Sequence, residues 1–150
     1  MTQTEYDDYS ARSEREYAQQ MADSGQLDLD AATQRSAVEF ADLLPDGLES
    51  PGMHFWTARL GDDDEPVGLG WVELRQRAAG VSAWIYDIQV EEGRRGEGLG
   101  RALMEALHDA ARGLGATTIG LNVFGHNTAA VRLYDSLSYA VTAQQMKRDL

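Results

Sequence analysis

Apolar and aromatic positions recur at helical spacing in the first third of the chain. From Glu5 to Met21 they fall at Tyr6, Tyr9, Tyr17 and Met21 among charges, which predicts an amphipathic helix ending near Ser24-Gly25. A second helix is expected to start on Asp28 or Asp30 as its cap and to place Ala31, Val38, Ala41 and Leu44 on one side. It must stop at Pro45, which has no N–H to continue the ladder. The period then shortens. His54 to Leu60, Val67 to Leu74 and Val81 to Val90 are rich in β-branched and aromatic types, and the turn-forming stretches GDDDEP and RQRAAG separate them, so they predict an antiparallel meander.

Leu99, Leu103, Leu107 and Leu114 then restore a helical period, with Arg101, Glu105, His108, Asp109 and Arg112 on the other side. Thr117 to Val123 reads as a short strand, and strand, helix, strand of this length gives a right-handed parallel crossover. A last helix over Thr128 to Leu137, capped by Asn127, and a final strand over Val141 to Arg148 complete the order. The expected fold class is α+β: an N-terminal helical hairpin and a single mixed, mostly antiparallel twisted sheet with one parallel crossover. Residues 1–150 are expected to form one domain.

Composition narrows the functions open to this fold. The formal charge of −12 opposes binding to nucleic acid or an anionic membrane. It belongs to residues 1–70, which hold 16 acids and 4 bases, whereas residues 71–150 hold 9 of each. That acidity reads first as a solvated helical surface and second as a rim attracting a cationic substrate. The absence of cysteine excludes a thiolate nucleophile, and His54, His108 and His126 lack metal-ligand spacing, so no metal is expected. The start of the chain has no signal-peptide pattern, and no window approaches the ~18 apolar residues of a membrane span. A cytoplasmic protein is the expectation.

The stretch RRGEGLGRALM, Arg94 to Met104, puts glycines and arginines where a strand gives way to a helix. Amides at a helix start carry partial positive charge, and glycines let an anion approach the main chain. The segment lacks the Lys-Ser/Thr of a P-loop and the G-x-G-x-x-G of a dinucleotide fingerprint. What remains is an R-x-x-G-x-G turn suited to a phosphate-bearing ligand. Further on, Asn127 and Tyr134 stand two helical turns apart and can face the same side.

With IQVEEGRRGEGLGRALM (Ile88 to Met104) and NVFGHNTAAVRLYDSLSY (Asn122 to Tyr139) in this order, the chain resembles the GNAT superfamily of N-acetyltransferases, from about His54 to its end. The resemblance implies the acyl-coenzyme A N-acyltransferase fold, with acetyl-coenzyme A as acyl donor and residues 5–50 on the acceptor side. It places the coenzyme pyrophosphate on Arg95, Gly96, Glu97, Gly98, Leu99, Gly100 and Arg101. The pantetheine arm pairs with the strand Ile88, Gln89 and Val90 where parallel strands splay apart. The same resemblance implies that Asn127 contacts that arm and that Tyr134 lies beside the thioester sulfur.

Direct attack by a primary amine needs a proton acceptor, an oxyanion donor and a proton for the leaving thiolate. Tyr134 suits the last role, because a phenol of reference pKa ~10 is protonated near neutrality. An amide N–H of the 88–90 strand is the expected oxyanion donor. Asn122 stands where some relatives carry the basic carboxylate, which leaves Asp87 or a water chain as acceptor. Strict alternation would turn Asp87 away from Tyr86 and Ile88. Trp56, Trp71, Trp84 and Tyr86 read first as core, with some of them lining the acceptor cleft. Ser138 replaces the family's usual glycine, and the N-terminus lacks the family's first strand pattern. The acceptor amine, small molecule or protein, is not encoded in any motif, and a homodimer through the last strand or the helical hairpin is an expectation. A coenzyme-binding sensor without turnover and a general nucleotide-phosphate site are the rival readings.

Overall fold

Helix formation at the N-terminus rests on a reciprocal cap. Thr2 Oγ1 accepts from the Glu5 amide at 3.3 Å, while a Glu5 carboxylate oxygen accepts from the Thr2 amide at 2.7 Å. Two amides that a helix start leaves without partners are thereby satisfied together. Helix α1 (Gln3–Asp23) follows directly, with no strand before it in residues 1–2. The computed structural model describes residues 1–23, 25, 27–61, 65–146 and 148. The expected helix end at Ser24 and the Asp62, Asp63 and Asp64 of the charged turn lie outside the described residues.

Helix α2 (Leu29–Leu43) is capped by Asp28, whose carboxylate accepts from the Ala31 amide at 2.8 Å. Its buried residues are Ala32 and Ser36 rather than the expected Ala31, Val38 and Ala41, Val38 being 58% exposed, while Leu44 at its C-cap is buried as expected. The reason is steric and polar. Small residues let the helices approach, and Ser36 Oγ donates to the Glu14 carbonyl of α1 at 2.8 Å. Hydropathy ranks valine above serine, but the helix contact selects the smaller residue.

Four strands, β1 (Met53–Arg59), β2 (Pro66–Arg77), β3 (Gly80–Val90) and β4 (Ala116–Leu121), lie in the order β1-β2-β3-β4. The pairs β1–β2 and β2–β3 are antiparallel. The sheet is mixed, β4 joining it in parallel through the crossover helix α3 (Leu99–Gly113). Pairing of Arg77 with Gly80 makes the β2–β3 turn tighter than RQRAAG suggests, with Gly80 at φ +119°.

The helical hairpin covers one face of the sheet, where Tyr6, Tyr9, Leu44, Phe55, Leu69 and Trp71 form a cluster. Tyr6 meets Phe55 edge-on at 5.1 Å and Phe55 stacks on Trp71 at 5.2 Å, arrangements that aromatic quadrupoles favour. Helix α3 covers the other face with Leu103, Met104, Leu107 and Ala111. Burial of each of the three large side chains contributes about 1.5–3 kcal/mol. Gly70 makes that contact possible: a Cβ there would stand 2.8 Å from Leu107 Cδ2. Leu114, expected on the same stripe, is the C-cap residue and 43% exposed.

The chain divides into two compact units, residues 1–120 and 121–150. The second holds α4 (Thr128–Ser136), capped by Asn127, whose Oδ1 accepts from the Ala130 amide at 3.2 Å. This helix closes with Ser138 at φ +66°, the Tyr139 amide bonding Tyr134 O and the Ser138 amide bonding Asp135 O, both at 3.0 Å. That closure is a left-handed C-terminal cap, which glycine fits better than serine. The expected final strand is absent: among the described residues of 141–148 no strand forms, and Val141 and Met146 are 79% and 86% exposed. VTAQQMKR offers no alternating apolar face to bury; Lys147 lies outside the described residues.

Candidate active site

A β-bulge creates the site's geometry on the hairpin face. Pairing runs regularly from Gly68↔Val90 to Trp71↔Asp87 and then jumps to Val72↔Ile85, so Tyr86 is an extra residue in β3. Tyr86 and Asp87 consequently point to the same side. The Tyr86 ring stacks on Trp71 at 4.5 Å, and the Asp87 carboxylate meets helix α1. The expected alternation, with Asp87 opposite Tyr86, is thus corrected: the bulge adds one residue to the count and shifts the phase.

Asp87 is half-buried and held from two directions. Its Oδ2 accepts from the Tyr9 hydroxyl at 2.9 Å and from Gln89 Nε2 at 2.7 Å. Arg12 in turn donates to Gln89 Oε1 at 3.5 Å. Burial pushes the Asp87 carboxyl above the ordinary carboxylate range, while hydrogen bonds from Tyr9, the Ile88 amide and Gln89 pull it back and the Glu16 charge adds to the rise. The Tyr9 phenol is pushed far up by its own burial and then by the Asp87 charge, so it stays a donor. Sequence reading missed Tyr9. The available signal was general: a buried tyrosine hydroxyl needs a partner, and Asp87 is the acid in an otherwise uncharged strand.

Around these groups lie the half-buried Trp84 and the more exposed Tyr86, with the Arg75 guanidinium 5.0 and 5.7 Å from their ring centres. Arg75 Nε also donates to Glu73 at 2.7 Å, and Tyr86 donates to the same carboxylate at 3.0 Å. Trp71 is core, only 5% exposed. Trp56 stacks on His54 at 5.6 Å on β1, and burial lowers the His54 pKa.

The main chain of β3 has its own directionality. The Glu91 amide bonds the Val67 carbonyl at 3.0 Å, and antiparallel bonded and non-bonded pairs alternate. Gln89 therefore bonds Leu69, whereas Ile88 and Val90 turn their N–H and C=O groups away from β2. Strand β4 lies along the first half of β3: Thr117 Oγ1 donates to the Val81 carbonyl at 3.2 Å, and a Cβ on Gly120 would meet the Trp84 ring at 3.1 Å. Ile88 and Val90 belong to the other half of the strand, past the bulge.

From Val90 the chain passes through the short turn Glu92–Arg94 into the glycine stretch. Gly96 and Gly98 adopt φ +86° and +82°, and a Cβ on either would meet nothing within 4 Å. Conformation requires glycine here, and the space in front is open. Gly98 caps α3 without a side chain, leaving the amides of Leu99 and Gly100 no side-chain cap. Arg94 grips both oxygens of Glu97 at 3.0–3.1 Å, which offsets the one acid among residues 94–101. Arg95 Nε donates to the Val90 carbonyl at 3.3 Å, and Arg101 pairs with Glu105 at 3.8 Å.

In the second unit, Asn127 and Tyr134 stand at the start and near the end of α4. Tyr134 is half-buried and its ring lies 5.6 Å from that of Tyr139. Burial and the neighbouring Tyr134 push the Tyr139 phenol up to about 12. Asn127 uses Oδ1 for the cap, so its amide nitrogen is the group left to meet a ligand.

Comparison with known proteins bears on this α+β fold directly. Over residues 11–139 the chain matches the Acetyltransferase (GNAT) family, and it belongs to that family as an N-acetyltransferase. It is 33% identical to the uncharacterized N-acetyltransferase YycN of Bacillus subtilis (strain 168) over 150 residues, covering 100% of this chain and 96% of that protein. The uncharacterized N-acetyltransferase YdgE of the same organism is 31% identical, with 100% and 95% covered. The crystal structure of YycN superposes with a TM-score of 0.88 over 100% of this chain and 95% of that one. None of the described helices is long and apolar enough to cross a membrane.

Proposed function

We propose that residues 1–150 act as one domain that transfers the acetyl group of acetyl-coenzyme A directly to a primary amine. The observation that carries this reading is the continuity of two main-chain features. The main-chain groups that Ile88 and Val90 turn away from β2, among them the Val90 carbonyl that also accepts from Arg95, can pair with the pantetheine amides like an added strand, and the same chain then enters the open, uncapped start of α3. There the amides of Arg95 to Arg101, with the Arg95 and Arg101 guanidiniums, receive the pyrophosphate. The residues present fit such a donor: glycines hold the stretch 95–101 open and its one acid, Glu97, is paired with Arg94.

In the reaction an amide of the 88–90 strand donates to the thioester carbonyl oxygen as negative charge develops there. Asp87 takes the proton that the attacking nitrogen loses. As the C–S bond breaks, Tyr134 gives its hydroxyl proton to the departing sulfur, and Asn127 holds the pantetheine arm with its amide nitrogen. The test is thiol release from acetyl-coenzyme A across a panel of amines. We expect turnover on at least one amine and a fall in kcat of about 100-fold in Tyr134→Phe. Binding without turnover on every amine, or an unchanged rate in Tyr134→Phe, overturns the corresponding part of the mechanism.

A further inference from the structure

Asp87 and helix α1 are joined across 78 residues of sequence by a hydrogen bond that no catalytic motif contains. Both side-chain donors to the carboxylate, Tyr9 and Gln89, converge on Oδ2. Among the described residues no side chain donates to Oδ1. The clamp is itself supported: Arg12 holds Gln89 from the same helix that carries Tyr9, and the Tyr9 ring is fixed edge-on against Phe55 at 6.3 Å. Ser13, one turn on from Tyr9, keeps its buried hydroxyl beside the phenol.

We infer that Tyr9, assisted by Gln89, is a positioning residue of the transfer: the two bonds fix Oδ2 and so present Oδ1 to the incoming amine. The inference rests on the reading of Asp87 as proton acceptor. Orientation is the first consequence, because a carboxylate bonded through one oxygen by two donors cannot rotate its other oxygen away. Protonation is the second. From α1 the groups facing Asp87 are Tyr9, Arg12 and Glu16; β2 presents Trp71, and β3 itself presents Tyr86 and Gln89. No cation touches the carboxylate in this set, so the two neutral donors and the Ile88 amide are what oppose its burial. A donor to the ionised form favours that form, and removing it raises the pKa of the base.

The experiment compares wild type, Tyr9→Phe, Gln89→Met and Asp87→Asn. Tyr9→Phe keeps the ring and deletes only the hydroxyl, and Gln89→Met removes the second donor from a half-buried position should the first variant fold poorly. The acid limb of kcat/KM against pH is expected to move upward by about one pH unit in each single variant, a tenfold loss on the limb that alkaline pH recovers. The Asp87 carboxyl titration, followed by carbon NMR, is expected to move in the same direction. An unchanged Asp87 titration in both variants, or a titration that moves while the acid limb stays, overturns the inference even if Asp87→Asn abolishes the limb. Retention of a wild-type limb by Asp87→Asn instead removes the reading of Asp87 as base, and the inference with it.

Discussion

The two halves of the candidate site use the chain in opposite ways. Around residues 95–101 the chemistry is that of the main chain: glycine conformations, peptide amides and a helix start, all set by residues adjacent in sequence. Around Asp87 the chemistry is that of side chains brought from Tyr9, Arg12 and Gln89, and it exists only once α1 lies on the sheet. The first half is compact in sequence and draws on its glycines and arginines alone. The second depends on a tertiary contact and on a one-residue irregularity in pairing. A ligand-binding loop can therefore be recognised from spelling, whereas a base must be located by its surroundings.

Substitutions that load one half and spare the other sharpen this contrast. Gly70→Ala drives a Cβ into Leu107 and displaces α3, whose first turn carries the amides proposed to bind phosphate. We expect a loss of about 1–3 kcal/mol in urea unfolding and a higher KM for acetyl-coenzyme A, with the acid limb of the pH profile unmoved. A shifted limb would show that the two halves are not separable. Gly98→Ala acts more locally, through a left-handed conformation that costs a non-glycine residue about 1 kcal/mol. Its expected mark is a several-fold rise in KM for the donor, read by initial rates, without change in kcat for a saturating amine. The smallest effect belongs to neither half. Ser138→Gly relieves the left-handed serine after α4 and should stabilise by about 0.5–1 kcal/mol, read as a raised Tm with kinetics unaltered.

How far the sequence foretold this molecule follows the same division. Helix α3 and its turn were legible because Leu103 and Leu107 keep a strict period and the glycines mark its start. The Asp28 and Asn127 caps were legible because capping is a local bond. The buried side of α2 was not, since Ser36 is buried by a helix contact that hydropathy cannot weigh. The strand expected over Val141 to Arg148 does not form among the described residues there, because β-propensity means little where no face is buried. Tyr86 and Asp87 sharing a face was hidden most completely. A bulge is a property of two strands in register, and nothing in YDIQV marks the extra residue.

That extra residue makes the reactive geometry a matter of counting. A chain of the same residues that zipped β3 onto β2 without this interruption would set Tyr86 opposite Trp71 and Asp87 opposite Gly70, whose face meets Leu107. Its carboxylate would then emerge among the leucines of the crossover helix, stranded from the phenol and from any amine. A homologue that pairs these strands without the bulge can thus share every residue proposed here to act and still not carry out the proposed reaction.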